Sequence, residues 1–187
     1  MLLQTTWIII WRMNPPHIWH QELIKISFRE NDITLVFIGT KKVKDNKNPF
    51  SFEQIKKWLS LVFETSKPHI FIDEIKDNPS DKNWVLSLIK KIEDKKTGKN
   101  IVFYWWDLEN DYAINCIKSY SELFQGYNIS YEELDRKEMK VNIAGQDIDI
   151  SGTNVRLALK GKNNEVIDKM VDKRIIMDLF FEYNKLK

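Results

Sequence analysis

Two histidines three residues apart are the first candidates for chemistry in this chain. His17 and His20 follow an apolar run at residues 7–10 and a turn that contains Arg12. The run is typical of a short buried strand, and a helix is predicted to begin at the histidines. At that spacing in a first helical turn, both imidazoles can face the same space. Arg12 adds a planar positive charge suited to phosphate. Because helix N-termini bind anions at the carboxyl edge of a sheet, the segment predicts an anion site.

A second candidate lies near the end of the chain, in the segment ISGTNVR at residues 150–156. Ser151, Gly152 and Thr153 stand where a helix is predicted to start, and Arg156 lies one turn further along. Hydroxyls, free backbone N–H groups and a guanidinium would then point at one anion. Alone, such a segment is more often an ordinary N-cap. Together with the histidine pair, it favours phosphate binding.

The elements that must position these residues alternate along the chain. Apolar, β-branched runs of strand length lie at residues 33–39, 69–75 and 101–104, and amphipathic helical patterns separate them. Strands that alternate with helices predict a parallel sheet covered by helices on both faces. We therefore expect a single α/β Rossmann-like domain over residues 1–187.

Several boundaries can be predicted from local signals. Ser51 and Gln54 form a capping box for a helix with apolar residues at helical spacing. A strand is expected near Ile129, and one more near Val141 or Ile148. A short helix follows, ended by a glycine at 161, and one long helix is predicted for residues 165–187.

Composition excludes several classes of protein. A net charge of +2 over 187 residues gives no basic field, so nucleic acid is not an expected partner. Cys116 is the single cysteine, which excludes an intrachain disulfide, and no metal site of the protein's own is predicted. The first apolar run is too short to span a bilayer and no basic region precedes it, so a cytoplasmic protein without a membrane partner is expected.

The two candidate segments resemble motifs of one superfamily. Residues 11–20, WRMNPPHIWH, resemble the H-x-G-H motif of nucleotidyltransferases, within the GRFxPxHxGH opening of nicotinamide mononucleotide adenylyltransferases. The segment ISGTNVR resembles their late ISS/GTxxR motif, which holds the triphosphate. The two motifs occur in the family's order, about 130 residues apart. Between them, FIGTKKVKDNKNPFSFEQ resembles IGSA…NPFTxxER, and DNPSDKNWV resembles the segment that packs against the nicotinamide ring.

The resemblance implies an adenylyltransferase that joins nicotinamide mononucleotide and ATP into NAD and releases pyrophosphate. It implies ATP and a mononucleotide as partners, Mg²⁺ accompanying ATP, and a homo-oligomer as a possible assembly. Trp84, with Asn83 beside it, would receive the nicotinamide ring. The residues that would act on the phosphates are His17, His20, Arg12 and Arg156 as catalytic groups, and Ser151, Gly152, Thr153 and Gly39 as ATP-binding groups.

Two alternatives stay open. The acceptor could be a different phosphate, such as nicotinate mononucleotide or phosphopantetheine, because the acceptor motifs are softer than the phosphate motifs. The chain could also be a non-catalytic nucleotide-binding relative, since the family's motif arginine falls at Ile55. The remaining candidates favour structural roles: His69 at the start of a strand, Cys116 as buried packing, and Lys41, Lys42 and Lys44 as a solvated loop.

Five tryptophans stand where the resemblance expects glycine: Trp7, Trp11, Trp19, Trp105 and Trp106. Glycine is scarce, at 6 of 187 residues against a usual share of roughly 7%. Our hypothesis is that the gene comes from a lineage that reads UGA as glycine and was translated with tryptophan instead. An indole in place of the H-x-G-H glycine would compete with the nucleotide for space. The chain as written is therefore expected to keep the fold with a partly blocked pocket.

Overall fold

The computed structural model describes residues 5–27, 33–63, 69–95, 97–105, 111–133 and 139–186. The strands are β1 Thr5–Trp11, β2 Ile33–Thr40, β3 Ile70–Lys76, β4 Asn100–Trp105, β5 Asn128–Glu133, β6 Lys140–Ile143 and β7 Gln146–Asp149. The helices are α1 Ile18–Ser27, α2 Phe52–Phe63, α3 Asp81–Asp94, α4 Tyr112–Ser119, α5 Gly152–Gly161, α6 Asn164–Met170 and α7 Lys173–Asn184, with a 3₁₀ turn at Ser121–Leu123.

These elements group into two compact units. The first, which we call the sheet unit, comprises Met1–Trp11, Ile24–Lys42 and His69–Arg136. The second, the hairpin unit, comprises Arg12–Leu23, Val43–Pro68 and Lys137–Lys187. The single domain over residues 1–187 stays a prediction.

The sheet unit is built on five parallel strands in the order β3-β2-β1-β4-β5. The central strands are apolar along their length rather than alternating, as expected for a sheet covered on both faces. The predicted Rossmann-like α/β fold, with a parallel sheet flanked by helices, is confirmed.

The order of the strands reverses between β1 and β4. In open α/β sheets, the carboxyl ends of strands at such a point border the crevice where ligands bind. The last residues of the two strands here are Trp11 and Trp105. Both side chains are buried, and their rings meet edge to face at 5.7 Å between centroids.

The hairpin unit contains α2, α5, α6 and α7, the first turns of α1, and the β6–β7 hairpin. The predicted capping box is confirmed: Ser51 N donates to Gln54 Oε1 at 2.8 Å, and Gln54 N donates to Ser51 Oγ at 3.3 Å. Helix α2 is tied to α7 through Trp58, whose Nε1 donates to Asp178 Oδ2 at 2.7 Å.

The prediction of one long helix for residues 165–187 is wrong. The chain turns extended at Val171, and Asp172 caps a new helix by accepting from Arg174 N at 2.9 Å. The apolar period continues through the break because Ile167 and Ile175 are both buried. Where one strand near Val141 or Ile148 is predicted before α5, the structure has two antiparallel strands, one at each of these residues.

The other predicted strands lie where expected, within a residue or two at each end. No helix among the described residues has the length and apolar character needed to cross a bilayer. One tryptophan of the glycine hypothesis, Trp106, lies outside the described residues.

Candidate functional site

The two histidines are in contact at the start of α1, as their spacing predicts. Their rings are stacked, with 3.7 Å between centroids and an interplanar angle of 28°. Both are buried, His17 with 3% and His20 with 4% of its surface exposed. The backbone N–H of His17 donates to His20 Nδ1 at 3.2 Å. This is the return bond of a capping box, with an imidazole in the place of glutamate or glutamine.

That bond also fixes the chemistry of His20. Because Nδ1 accepts a hydrogen bond, a neutral ring carries its proton on Nε2 and presents that N–H as a donor. Burial, and secondarily the neighbouring His17, lower the pKa of His20 well below its usual value. His20 is therefore a neutral hydrogen-bond donor near neutral pH.

The turn before the histidines is held by a buried asparagine. Asn14 Nδ2 donates to Phe50 O at 3.1 Å, and Phe50 N donates to Asn14 Oδ1 at 3.0 Å. The preceding residue, Met13, is buried and has a left-handed backbone, with φ of 46°. Such a conformation is costly for a side chain larger than asparagine, and it persists only where surrounding contacts hold it.

Arg156 contacts this turn from the other end of the sequence. Its Nη1 donates to the backbone carbonyl of Asn14, and its Nη2 donates to Thr153 Oγ1 at 3.0 Å. Burial lowers the pKa of Arg156, and Asp45 and Tyr183 oppose that effect. The guanidinium keeps its charge, because arginine is not deprotonated in proteins.

The first turn of α5 completes the cluster. Ser151 is the N-cap, and its Oγ accepts from Asn154 N at 3.2 Å. Its hydroxyl proton can still be donated to a ligand. A Cβ built on Gly152 would lie 3.2 Å from both Asn14 O and Arg156 Nη1. A glycine at 152 thus allows α5 to approach the turn closely.

The structure therefore joins one part of the predicted site within the hairpin unit. The contacts link the Asn14 turn, Arg156, Gly152 and Thr153, and the stacked histidines follow the same turn. A charged guanidinium, helix N–H groups and a neutral imidazole donor form a set suited to an anion with several oxygens.

Of the remaining predicted residues, Arg12 belongs to the hairpin unit and the other three belong to the sheet unit. Arg12 is exposed directly after β1. Gly39 is near the carboxyl end of β2, and Trp84 and Asn83 lie in the first turn of α3, all within the sheet unit. Trp84 is half-buried and Asn83 is exposed. The assignment of these four residues to phosphate or to the acceptor stays a prediction.

The structure also places Ile55 and the residues for which structural roles are predicted. Ile55, where the family motif has arginine, is fully buried in α2 and faces the core. Cys116 is buried on α4, and burial raises the pKa of its thiol. His69 O accepts from Thr34 N at 2.8 Å. The lysines of the loop after β2 are exposed: Lys41, Lys42 and Lys44.

The tryptophans fall into two groups by their indole N–H. Trp58 Nε1 has an acceptor in Asp178. Trp19 Nε1 and Trp105 Nε1 are buried with no hydrogen-bond partner among the residues that the structure describes. Buried donors without a partner are uncommon in folded proteins. Trp7, in contact with the ring of Tyr104 at 5.4 Å, lies in the middle of β1.

Sequence reasoning missed the part played by Asn14 beyond membership of a turn. Its partner, Phe50, is 36 residues away, and no local pattern marks the pair. The available signal was chemical: asparagine directly before two prolines, beside a segment that resembles a phosphate motif.

The strand order and topology define the class as Rossmann-like α/β. Solved structures of similar fold include a bifunctional NMN adenylyltransferase/ADP ribose pyrophosphatase from Francisella tularensis, with a TM-score of 0.61 and 16% identity over 91% of this chain and 44% of that one. A NadR protein in complex with NR has a TM-score of 0.59 and 19% identity over 88% of this chain and 44% of that one.

A third similar structure is Thermotoga maritima TmcAL bound with alpha-thio ATP, with a TM-score of 0.57 and 11% identity over 97% of this chain and 56% of that one. The chain spans about half the length of these three proteins. At such identities the likeness shows the fold. No protein-family model and no curated protein matches the sequence.

Proposed function

We propose that the chain is an adenylyltransferase that condenses nicotinamide mononucleotide with ATP to give NAD and pyrophosphate. The observation that carries the proposal is the contact of Arg156 with the Asn14 turn and with Thr153 in the first turn of α5. It joins the two segments whose motifs resemble nucleotidyltransferases. The fold, shared with the bifunctional NMN adenylyltransferase/ADP ribose pyrophosphatase from Francisella tularensis, supports the proposal.

The reaction needs no covalent enzyme intermediate, because the attacking 5′-phosphate is already an anion. One of its oxygens would attack the α-phosphorus of ATP in line. The bond from the α-phosphorus to the bridging oxygen breaks as the new bond forms, and pyrophosphate leaves. Catalysis would consist of positioning and stabilisation of charge on the phosphate oxygens.

Each residue of the cluster has a role in this scheme. Arg156 would bind the triphosphate through the Nη hydrogens that it does not donate to Asn14 and Thr153. Thr153 and the backbone N–H groups at the start of α5 would bind adjacent phosphate oxygens. His20 would donate from Nε2 without carrying charge, and His17 would lie beside it against the phosphates. Ser151 would donate its hydroxyl proton.

Residues outside the cluster would complete the substrates' contacts. Arg12 would add positive charge, and Gly39 would lie under the nucleotide at the end of its strand. Trp84 would stack on the nicotinamide ring, with Asn83 beside it. Mg²⁺ would arrive bound to ATP and screen its triphosphate. Among the described residues there is no group of three or more His, Cys, Asp or Glu side chains that could hold a metal ion.

A screen of acceptors tests the proposal. The chain is incubated with Mg²⁺–ATP and one acceptor at a time: nicotinamide mononucleotide, nicotinate mononucleotide or phosphopantetheine. Released pyrophosphate and the dinucleotide product are measured. We expect turnover with nicotinamide mononucleotide and its loss in Arg156→Gln, with Lys160→Gln on the exposed face of α5 as the matched control. Turnover with one of the other acceptors and none with nicotinamide mononucleotide would support an adenylyltransferase with a different acceptor substrate.

A second candidate function is nucleotide binding without catalysis. The observations that favour it are the indoles of Trp11 and Trp105 at the ends of β1 and β4, and the buried Ile55 in place of a motif arginine. Binding of Mg²⁺–ATP without pyrophosphate release, persisting when Trp11 and Trp19 are both changed to glycine, would select this candidate.

A further inference from the structure

We propose that Asn14 is the positioning residue of the anion cluster, and that it sets the place of the Arg156 guanidinium. The inference deepens the proposed function and rests on it for the identity of the ligand. The contacts themselves are independent of that function. Asn14 is buried, and both ends of its side-chain amide as well as its backbone carbonyl are occupied.

The side chain of Asn14 holds the backbone of Phe50. Its two hydrogen bonds to Phe50 pair both backbone groups of one residue, as a neighbouring strand would. Phe50 is itself anchored, because its buried ring packs edge to face on Trp58 at 4.9 Å between centroids. Asn14 thereby fastens the turn to a residue fixed in the core of the hairpin unit.

The backbone carbonyl of Asn14 holds the guanidinium of Arg156. With the side chain fastened, its carbonyl oxygen has a fixed position and accepts from Arg156 Nη1. Thr153 Oγ1 accepts from Nη2 of the same guanidinium. The Asn14 carbonyl, held by that residue's own side-chain bonds, therefore sets the place of the group, and Thr153 adds a second contact. The remaining N–H groups are left for a ligand.

Aspartate or an apolar side chain at position 14 would not pair both backbone groups of Phe50. Aspartate would accept from Phe50 N but meet the Phe50 carbonyl with a second acceptor, and an apolar residue would leave both backbone groups of Phe50 unpaired. The left-handed backbone of Met13 next to this residue also needs contacts that hold it. An amide at position 14 satisfies each of these demands.

The experiment compares Asn14→Leu, which keeps size without hydrogen bonds, with Asn128→Leu on β5 as the matched control. Asn128 makes an exposed amide pair with Asn100 at 2.9 Å. The first readout is NMR of the Arg156 guanidinium, whose Nη hydrogens give separate signals when the group is held and averaged ones when it rotates. We expect separate signals in the parent and in Asn128→Leu, and averaged signals in Asn14→Leu.

The second readout is the Kd for Mg²⁺–ATP by calorimetry, in the chain as written and with Trp11 and Trp19 both changed to glycine. We expect Asn14→Leu to weaken binding by roughly tenfold, the loss of one well-placed hydrogen bond to a charged group. Asn128→Leu should change the Kd by less than about twofold, as surface substitutions do. A parent that binds no ATP in either background would refute the proposed function, and the NMR comparison would still decide the role of Asn14.

Separate Arg156 signals in a folded Asn14→Leu would overturn the inference. If that variant does not fold, Thr153→Val provides the decision, because it removes the other acceptor and leaves the Asn14 carbonyl in place. Arg156 signals should then stay separate. Averaged signals in Thr153→Val would show that Thr153 holds the guanidinium, and the inference would be overturned.

Discussion

Two buried tryptophans differ in one respect that stability measurements can resolve. Trp58 and Trp105 have 0% and 1% of their surface exposed, so replacement by phenylalanine removes a similar volume from each core. Trp58 Nε1 donates to the Asp178 carboxylate at 2.7 Å. Trp105 Nε1 has no acceptor among the described residues. We predict that Trp58→Phe destabilises the protein and that Trp105→Phe costs much less.

The expected difference follows from the two hydrogen-bonding states. A hydrogen bond to a charged group contributes about 1.5–3 kcal/mol, and an unsatisfied buried donor costs about 1–3 kcal/mol. Trp58→Phe loses the hydrogen bond to the carboxylate, whereas Trp105→Phe removes an unsatisfied buried donor and its cost. With the volume terms shared, the free energy of unfolding should be lower in Trp58→Phe than in Trp105→Phe by about 2.5–6 kcal/mol, the sum of the two contributions.

The assay is urea unfolding followed by far-ultraviolet circular dichroism, which does not depend on tryptophan fluorescence. A pH series adds a second check. Hydrogen bonds from Lys57 and, after it, from Trp58 lower the pKa of Asp178 against the opposing effect of its partial burial. A carboxyl group whose pKa is lowered in the folded state stabilises the protein at pH values above its unfolded pKa of about 3.9. That stabilisation is lost as the pH falls through the lower pKa of the folded state. The difference in free energy of unfolding between the parent and Trp58→Phe should therefore become smaller as the pH falls through this range, because Asp178 becomes protonated. Equal destabilisation by the two substitutions at neutral pH would refute the reasoning.

Three further predictions concern the site and α7. Changing Trp11 and Trp19 together to glycine should raise ATP affinity by roughly tenfold, equivalent to about 1.4 kcal/mol. UGA is expected at the codons of both residues. An unchanged Kd by calorimetry, or UGG in the gene, would contradict the glycine hypothesis. Asp172→Ala should lower the free energy of unfolding in urea by about 1 kcal/mol, because it removes the cap of α7. His20→Gln keeps an acceptor for the His17 amide at the start of α1. It should reduce the fall in the free energy of unfolding below about pH 6.5, because the unfolded imidazole binds a proton there and the buried ring does not. A pH dependence of the free energy of unfolding equal to that of the parent would contradict this.

The fold was predictable because its signals are local. Each parallel strand is a short apolar run, and each helix between them has one apolar stripe, so alternation alone implies the layers. The capping box at Ser51 and Gln54 lies within four residues, and it forms as predicted. The break at Asp172 was equally local, but the apolar period runs through it and conceals the new cap.

The site was predictable only in part, because its decisive contacts join distant segments. Spacing brought His17 and His20 together, since both lie in one helical turn. The contact of Arg156 with Asn14 spans 142 residues, and only the paired motifs suggested that these segments meet. The bonds between Asn14 and Phe50 have no counterpart in any local pattern.

The hydrogen bond that begins α1 has a consequence for reactivity. The one lone pair of a neutral His20 ring that could take up a proton or coordinate a metal is already committed to the His17 amide. To abstract a proton from a substrate hydroxyl, this ring would first have to break the hydrogen bond that caps the start of α1. In the proposed reaction no such proton transfer is needed, because the attacking phosphate is already ionised.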